Sequence, residues 1–253
     1  MRGLAEKVIV VAGGAGYIGT ASSVRLAAEG ASLVVGDYDA KAAADVVGQI
    51  ETAGGRAVAA RVDISDEASV VELLRTAVDA FGGIDGVHLN AADTSVVLRD
   101  THVVDVDLEV FDQTIAVNLR GFFLITRHAI PLLLERGGGA LAYTSSAASL
   151  MGEPERVSYG ISKAGVNALV RHVASRWGKE GIRANAVAPG MILHEKLAAY
   201  FGEEGLKAPL AAVRSPRLGK VDDIAAAVAF LLSDDGEWIN GQVYGVDGGL
   251  LLR

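Results

Sequence analysis

The sequence predicts an α/β fold in which one doubly wound parallel β-sheet carries helices on both faces. Short runs of Val, Ile and Ala alternate along the chain with longer segments of helical pattern. Unbroken apolar strands that are each followed by a helix are typical of a parallel sheet covered on both sides. The first apolar run, KVIVV, also leads straight into a glycine-rich stretch, AGGAGYIG at residues 12–19, and then into a helical pattern.

The pattern places about seven strands along the 253 residues. The strands are predicted at 7–12, 31–37, 57–62, 84–90, 139–145, 182–188 and 242–246. The helices are predicted near 17–29, 39–53, 66–81, 107–136, 156–180 and 221–233. No repeat, low-complexity block or linker divides these elements, so we expect a single domain over residues 1–253.

The longest stretch without a strand signal runs from Pro189 to about Arg217. Loops of this length in compact domains tend to be lids or binding segments. We therefore expect a substrate-binding loop at about 191–217, which closes over the cofactor and the substrate. Gly190, Gly202 and Gly205 are its expected points of flexure.

The composition argues against several classes of partner and site. A net charge of −8 with scattered basic residues disfavours nucleic acid and anionic membrane surfaces. No apolar run approaches the roughly 20 residues of a membrane span. The chain has no cysteine, and its five histidines show no close pairing suited to zinc, so we expect no metal site. The N-terminus is predicted to be a first strand rather than a signal peptide, and the expected location is the cytoplasm.

The glycine stretch predicts a phosphate-binding loop or a tight turn. Gly14, Gly16 and Gly19 match the pattern G-x-G-x-x-G, and Gly13, Gly16 and Gly19 form an evenly spaced alternative. Glycine lets the backbone turn sharply and approach a pyrophosphate closely. The helix that follows would point its first N–H groups at the bound phosphates. The glycines alone do not decide between the two readings.

Polar residues end the predicted strands, where open α/β sheets bind their ligands. Asp37 ends the second strand, 18 residues after Gly19, where a carboxylate can accept hydrogen bonds from a ribose or can cap a helix. Asp63 ends the third strand and can reach an adenine amino group or cap the next helix, although Asp66 is the better cap. Asn90 ends the fourth strand beside two alanines.

Tyr159 and Lys163 decide the chemistry. They lie four residues apart in a predicted helix and therefore project from one face, one turn apart. A phenol has a reference pKa near 10, about three units too high for a base at neutral pH, and a nearby ammonium favours the phenolate. Ser145 and Ser146 end the fifth strand, where a hydroxyl can hold a substrate oxygen beside the phenol.

These residues together resemble the short-chain dehydrogenase/reductase family over nearly the whole chain. The matching features are AGGAGYIG at 12–19, Asp37, Asp63, NAA at 90–92, Asn118 in VNLRG, Ser146, Tyr159-x-x-x-Lys163, Pro189-Gly190 and NGQVYGVDGG at 240–249. The resemblance implies a Rossmann-like fold, a nicotinamide cofactor, an alcohol or ketone substrate, and a dimer or tetramer.

The resemblance also implies a role for each matching residue. Tyr159 would be the general acid/base, and Lys163 would lower the pKa of Tyr159 and bind the nicotinamide ribose. Ser146 would position the substrate oxygen, and Asn118 would anchor a water that relays protons toward Lys163 or would kink a helix. The residues expected to contact the cofactor, NAD, are Gly13, Gly16, Tyr17, Ile18, Gly19, Asp37, Asp63, Ile64, Asn90, Ala91, Tyr159, Lys163, Pro189, Gly190 and Ile192.

The sequence departs from the family pattern at four positions. Ala12 and Tyr17 replace a threonine and the middle glycine of the loop, and Ala92 replaces the glycine of NAG. His194 stands where the family commonly has a threonine that holds the nicotinamide carboxamide. Backbone groups such as those of Ile192 would then supply that contact.

Three other functions remain open from the sequence. A methyltransferase that uses S-adenosylmethionine shares the glycine loop and the acidic strand end, but it has no need of Ser146, Tyr159 and Lys163. An NADPH-dependent 3-oxoacyl-thioester reductase of the same family is the main alternative. A non-catalytic nucleotide-sensing protein on the same fold is the third.

The expected substrate is a neutral, partly apolar secondary alcohol or ketone, because segment 191–217 carries no compact basic cluster. The expected partner is a second copy of the chain, since the helices at 107–136 and 156–180 are apolar around much of their circumference. Trp177 and Trp238 are interpreted as core or interface residues. The stretch RDTHVVDVD around His102 is interpreted as a solvated loop.

Overall fold

A computed structural model describes residues 1–252 around one seven-stranded sheet. Every neighbouring pair of strands is parallel, and their order is β3-β2-β1-β4-β5-β6-β7. The strands are β1 Val8–Ala12, β2 Ser32–Asp37, β3 Arg56–Arg61, β4 Gly86–Leu89, β5 Gly139–Thr144, β6 Ile182–Pro189 and β7 Val243–Val246. The predicted fold class is confirmed.

Strand β1 shows why the sheet needs cover on both faces. All five of its residues are buried. Val8, Val10 and Ala12 belong to one hydrophobic cluster, whereas Ile9 and Val11 belong to a second. Because successive side chains of a strand point to opposite faces, the two clusters are the two layers of core on either side of the sheet.

The helices follow the strands in alternation, as the pattern predicts. They are α1 Tyr17–Ala28, α2 Ala40–Thr52, α3 Glu67–Phe81, α4 Leu108–Ile115, α5 Phe122–Glu135, α6 Val157–Trp177, α7 Glu195–Ala212 and α8 Val221–Leu232. Aspartate caps the first turn of three of them through Asp39, Asp66 and Asp107, which satisfies N–H groups that the helix itself cannot. None of the helices within residues 1–252 is long and apolar enough to cross a bilayer.

Two elements differ from the sequence prediction. The predicted helix at 107–136 is divided into α4 and α5 by a π-helical turn, Ala116–Gly121. The predicted loop at 191–217 contains α7, which departs from helical geometry at Gly202 (φ 60°, ψ 176°). No residue of α7 is buried, and Gly202, Gly205 and Pro209 are residues that argue against a helix in a sequence.

The strand order places one crevice at the centre of the sheet. The chain runs outward from β1 to β3 and then returns to continue on the other side with β4. At such a reversal the loops after β1 and β4 leave in opposite directions, and ligands bind between them at the carboxyl ends of the strands. The glycine loop follows β1 at this point.

Candidate active site

The glycine loop is held in place by backbone hydrogen bonds. Gly13 and Gly14 donate to the Gly36 carbonyl at 2.8 and 2.9 Å. Gly13 has φ +81°, and a Cβ on it would lie 2.5 Å from Ala91 Cα. A Cβ on Gly19 would lie 1.9 Å from the Gly13 carbonyl oxygen. Glycine is therefore required at 13 and 19, and the loop passes directly over the end of β4.

The start of α1 is open to an anion. Its N-cap, Gly16, offers no side-chain hydrogen bond to the first turn, so within residues 1–252 the N–H groups at Tyr17 and Ile18 have no capping side chain. A Cβ at Gly16 would meet only the Gly13 carbonyl, at 3.8 Å. An uncapped helix N-terminus beside a tight glycine loop suits a pyrophosphate, and the residues present fit a dinucleotide.

Asp37 lies at the end of β2 against this loop. One of its carboxylate oxygens accepts from the Ala15 N–H at 2.9 Å, and the other accepts from the Asp39 N–H. Asp39 is the cap of α2, so Asp37 does not cap that helix. Asp66 caps α3 as predicted, while Asp63 accepts from the N–H and hydroxyl of Ser65 at 2.9 and 2.6 Å.

A chain of polar side chains ties the ends of β4 and β5 to the loop. Asn90 donates to the Gly13 carbonyl at 2.9 Å and accepts from the Thr144 hydroxyl at 3.0 Å. His88 lies 3.0 Å from the same hydroxyl through Nε2. Complete burial lowers the pKa of His88 to about 3, so the imidazole is neutral. No sequence pattern singles out Thr144 or His88.

Tyr159 and Lys163 share one face of α6 as predicted. Lys163 is only 1% exposed, and its ammonium donates to the Thr144 carbonyl at 2.9 Å. It lies 5.7 Å from the centre of the Tyr159 ring. Burial lowers the pKa of Lys163 to about 8. Burial raises the pKa of Tyr159, and the Ser146 hydroxyl and the Arg156 guanidinium oppose that rise.

The two serines after β5 have different surroundings. Ser145 is buried and donates to Asn167 at 2.6 Å, which makes it a structural residue. Ser146 caps the short turn that follows, where its hydroxyl accepts from the Ala148 N–H at 3.2 Å. The Ser146 hydroxyl also opposes the rise in the pKa of Tyr159, so of the two serines it is the one on the side of the phenol.

Asn118 is fully buried in the π-helical turn. Its carbonyl accepts from the Asp93 N–H at 2.9 Å, while its Nδ2 has no partner within residues 1–252. A buried amide group without a partner is costly and calls for an ordered water. This geometry fits both a water anchor and a residue that distorts the helix.

The cap of α6 comes from a distant part of the chain. Arg156 begins the helix with φ 60° and offers no capping bond. Asp100 replaces it: one oxygen accepts from the N–H and hydroxyl of Ser158 at 3.1 and 2.8 Å, and the other accepts from the Tyr159 N–H at 2.8 Å. The stretch around His102 is therefore only partly a solvated loop, because Asp100 is 4% exposed. The sign of this role in the sequence is that Arg156, at the start of α6, has no side-chain acceptor that could cap the helix.

The far side of the crevice is formed after β6, which ends at Pro189. A Cβ at Gly190 would lie 3.0 Å from Asp247 Cα. Ile192 pairs with Gly219 in an isolated parallel bridge. The Leu193 N–H donates to the Gly219 carbonyl, and the Gly219 N–H donates to the Met191 carbonyl. Its own peptide groups therefore face away from Gly219. Ile64, by contrast, is buried in the core, which leaves only its backbone to face a cofactor.

One cation near Asp37 has no counterpart in the sequence prediction. Arg61 is the ladder partner of Asp37 in β3, and its guanidinium lies 4.9 Å over the Tyr38 ring. Lys41, the nearest cation along the chain, pairs with Asp45 at 3.0 Å. Within residues 1–252 no group of three or more potential ligands is placed to hold a metal ion.

Comparisons with known proteins agree with this geometry. The family model described as enoyl-(acyl carrier protein) reductase matches residues 13–251. A probable short-chain type dehydrogenase/reductase of Bradyrhizobium diazoefficiens is 43% identical over 98% of this chain and 88% of its own length. The chain belongs to the short-chain dehydrogenase/reductase family.

Two further relatives, one of them a solved structure, are similar to nearly the whole chain. A 3-oxoacyl-[acyl-carrier-protein] reductase of Thermotoga maritima is 32% identical over 98% of this chain and 99% of its own. A solved 7α-hydroxysteroid dehydrogenase, complexed with NADH and 7-oxo glycochenodeoxycholic acid, has a TM-score of 0.91 at 32% identity, covering 98% of this chain and 95% of that one. As a family member the chain is an oxidoreductase that acts on an alcohol or ketone with a nicotinamide cofactor.

Proposed function

We propose that this short-chain dehydrogenase/reductase transfers a hydride between NAD and a neutral, partly apolar secondary alcohol or its ketone, with Tyr159 as the general acid/base. The observation that carries the proposal is the placement of Tyr159, Lys163 and Ser146 together, at the strand ends beside the glycine loop. A methyltransferase or a nucleotide sensor would have no use for this set.

Different side chains act on the hydroxyl proton and on the oxygen of the substrate. When bound, the nicotinamide takes up or gives the hydride. In oxidation the Tyr159 phenolate accepts the hydroxyl proton while the carbinol carbon loses its hydride, and the product is a ketone. Ser146 holds the substrate oxygen, and the Lys163 ammonium favours the phenolate. Asn118 anchors a water through its unpartnered Nδ2.

The preference for NAD rests on Asp37. Its carboxylate is fixed by the Ala15 N–H at the edge of the glycine loop, where it would accept hydrogen bonds from the adenosine ribose hydroxyls. The name of the solved 7α-hydroxysteroid dehydrogenase, which includes NADH, supports the same assignment. The other proposed cofactor contacts are the backbone of the glycine loop, Asp63, Asn90 and the stretch from Pro189 to Ile192.

A second candidate is an NADPH-dependent reductase of 3-oxoacyl thioesters. The observation in its favour is Arg61, an exposed cation that is the ladder partner of Asp37 and would lie near a ribose phosphate. The Thermotoga relative bears the name of such a reductase. Asp37 opposes this candidate, because its carboxylate would repel that phosphate.

The rest of the proposal concerns organisation. The whole chain would act as one cytoplasmic domain whose segment 191–217 binds the substrate and closes over it. Phe123 and Ile161 lie on α5 and α6 with 46% and 47% exposure, which supports a homo-oligomer formed through these helices. A monomer in light scattering at micromolar concentration would contradict the assembly.

A panel of secondary alcohols tests the function. The purified chain is mixed with NAD or NADP and each alcohol, and the absorbance of the reduced nicotinamide is followed; the reverse reaction uses matched ketones and a 3-oxoacyl thioester. We expect oxidation of apolar cyclic or branched alcohols with NAD. Turnover of the thioester with NADPH alone would favour the second candidate, and failure to bind any nicotinamide cofactor would exclude both.

A further inference from the structure

Two aromatic rings meet across the mouth of the crevice. The Tyr17 and His194 rings are stacked, with centroids 3.9 Å apart and planes 15° from parallel. Tyr17 is the first residue of α1 and belongs to the glycine loop. His194 is the N-cap of α7 and begins the helical part of the substrate segment. The contact therefore joins the two elements that face the cofactor from opposite sides.

The His194 ring is held in this position by the start of α7. The His194 Nδ1 accepts from the Leu197 N–H at 3.3 Å, which fixes the ring as the cap of α7 in its neutral form. Desolvation and Lys196 lower the pKa of His194, which favours the same form. Tyr17 keeps 42% of its surface exposed, so burial alone does not account for where its ring lies.

Segment 191–217 has few other attachments near its start. No residue of α7 is buried. Its N-terminal side is attached by the Ile192–Gly219 bridge and by the burial of Ile192 in the core. Its C-terminal side is attached by the N–H groups of Arg214 and Ser215, which donate to the Gly248 carbonyl, and by the Arg217–Asp223 ion pair. With so little apolar surface of α7 covered, loss of one stacked pair would weaken the attachment of the segment by about two- to tenfold.

Tyr17 and His194 are also two of the positions at which the sequence departs from its family pattern. Each departure replaces a small residue by a ring, and the two rings contact each other. We propose that they form a clasp between the glycine loop and the substrate segment, so that retention of the cofactor and ordering of residues 195–212 are coupled. This inference rests on the proposed nicotinamide cofactor.

Four variants separate the ring contact from other effects. Tyr17→Ala removes one ring. His194→Asn removes the other but keeps a side-chain acceptor for the Leu197 N–H, and the double variant removes both. Tyr17→Phe keeps the ring and should restore whatever Tyr17→Ala loses. Trp238→Ala is the control, because it removes a 97% exposed aromatic ring that lies outside the glycine loop and segment 191–217.

Two readouts are measured for each variant: amide hydrogen exchange over residues 195–212 without ligand, and the dissociation constant for NADH by nicotinamide fluorescence. Loss of either ring should speed exchange and weaken NADH binding, each by about two- to tenfold. The double variant should be no worse than the stronger single variant, and Trp238→Ala should change neither readout.

The readouts distinguish failure of the clasp from failure of the cofactor assignment. Unchanged exchange in Tyr17→Ala would overturn the clasp, even if the unchanged protein binds NADH well. Faster exchange with unaltered NADH affinity would overturn the coupling, and tighter NADH binding would show that the rings obstruct the site. If the unchanged protein fails to bind NADH, the cofactor proposal fails and the coupling fails with it.

Discussion

The glycine loop and segment 191–217 face each other across one crevice but are built in opposite ways. The loop is tied down by the Gly36 carbonyl, the Asp37 carboxylate and the Asn90 amide, and Gly13 and Gly19 leave no room for a side chain. Segment 191–217 contains α7, an exposed helix with no buried residue. The glycine loop is thus preorganised, whereas segment 191–217 depends on contacts near its two ends.

This difference explains which parts of the function are visible in a sequence. A rigid loop needs particular residues at fixed spacing, and such residues form a recognisable pattern. A surface segment that closes over a variable substrate carries no such requirement. The class of cofactor can therefore be predicted from the sequence, whereas for the substrate only its general polarity can be proposed.

The largest expected effect is at Tyr159 on α6. Tyr159→Phe removes the proton carrier but keeps the ring, so turnover should fall by about 10²–10⁴-fold, as for loss of a general acid/base. The dissociation constant for NADH should stay within about twofold, because the preorganised loop is untouched. Steady-state kinetics and fluorescence titration measure the two quantities. Near-normal turnover would remove Tyr159 from the chemistry.

The next effect tests the cofactor side alone. A 2′-phosphate near Asp37 would face a like charge, and one such pair at about 4 Å costs about 4 kcal/mol at an effective dielectric near 20. Screening at the exposed ribose edge reduces this, so kcat/KM should favour NAD over NADP by at least about a hundredfold. Comparable efficiency with both cofactors would contradict this preference.

Substitutions at the same site sharpen that test. Asp37→Asn keeps an acceptor for the Ala15 N–H but loses the charge. If charge repulsion causes the preference for NAD, this variant should lower the ratio of kcat/KM with NAD to kcat/KM with NADP nearly as much as Asp37→Ala does. Arg61→Ala should lower kcat/KM with NADP more than with NAD. If this ratio changes in Asp37→Ala but not in Asp37→Asn, the preference for NAD comes from the geometry of the glycine loop and not from charge repulsion.

Asp100 tests whether α6 is as firmly held as the glycine loop. Asp100→Ala leaves the N–H groups of Ser158 and Tyr159 without their acceptor, which should destabilise the fold by about 2 kcal/mol. We also expect a lower kcat, since the cap fixes the backbone of Tyr159. Urea denaturation and kinetics measure both. Asp105→Ala, an exposed carboxylate of the same stretch, is the control, and equal behaviour of the two variants would refute the cap.

The smallest expected effect concerns His88 beneath the loop. Its folded pKa of about 3 lies below the ordinary 6.5, so the unfolded chain binds the extra proton. The stabilisation is complete above pH 6.5 and is lost as the pH falls toward 3. Between pH 6.5 and 5.5 the unfolding free energy should drop by about 1 kcal/mol more in the unchanged protein than in His88→Gln. Identical pH dependence would show that His88 does not contribute.

Much of the fold and most of the polar strand ends could be predicted because they depend on local pattern. The seven strands follow apolar runs, and Asp37, Asp66 and the Tyr159–Lys163 pair follow from spacing on one element. Asp100, Thr144 and Arg61 could not be found in this way, because each acts through a neighbour that only the tertiary structure supplies. Helix α7 is not visible in the sequence for a different reason, since Gly202, Gly205 and Pro209 are residues typical of a loop.

The most direct test follows the hydride from the alcohol to the nicotinamide. The unchanged protein is incubated with NAD and a secondary alcohol deuterated at its carbinol carbon, and the reduced cofactor is examined by NMR. We predict deuterium at C4 of the nicotinamide, on one face of the ring, in equal amount to the ketone formed, and none with Tyr159→Phe on the same time scale. Ketone formation without deuterium at C4 would contradict the proposed chemistry.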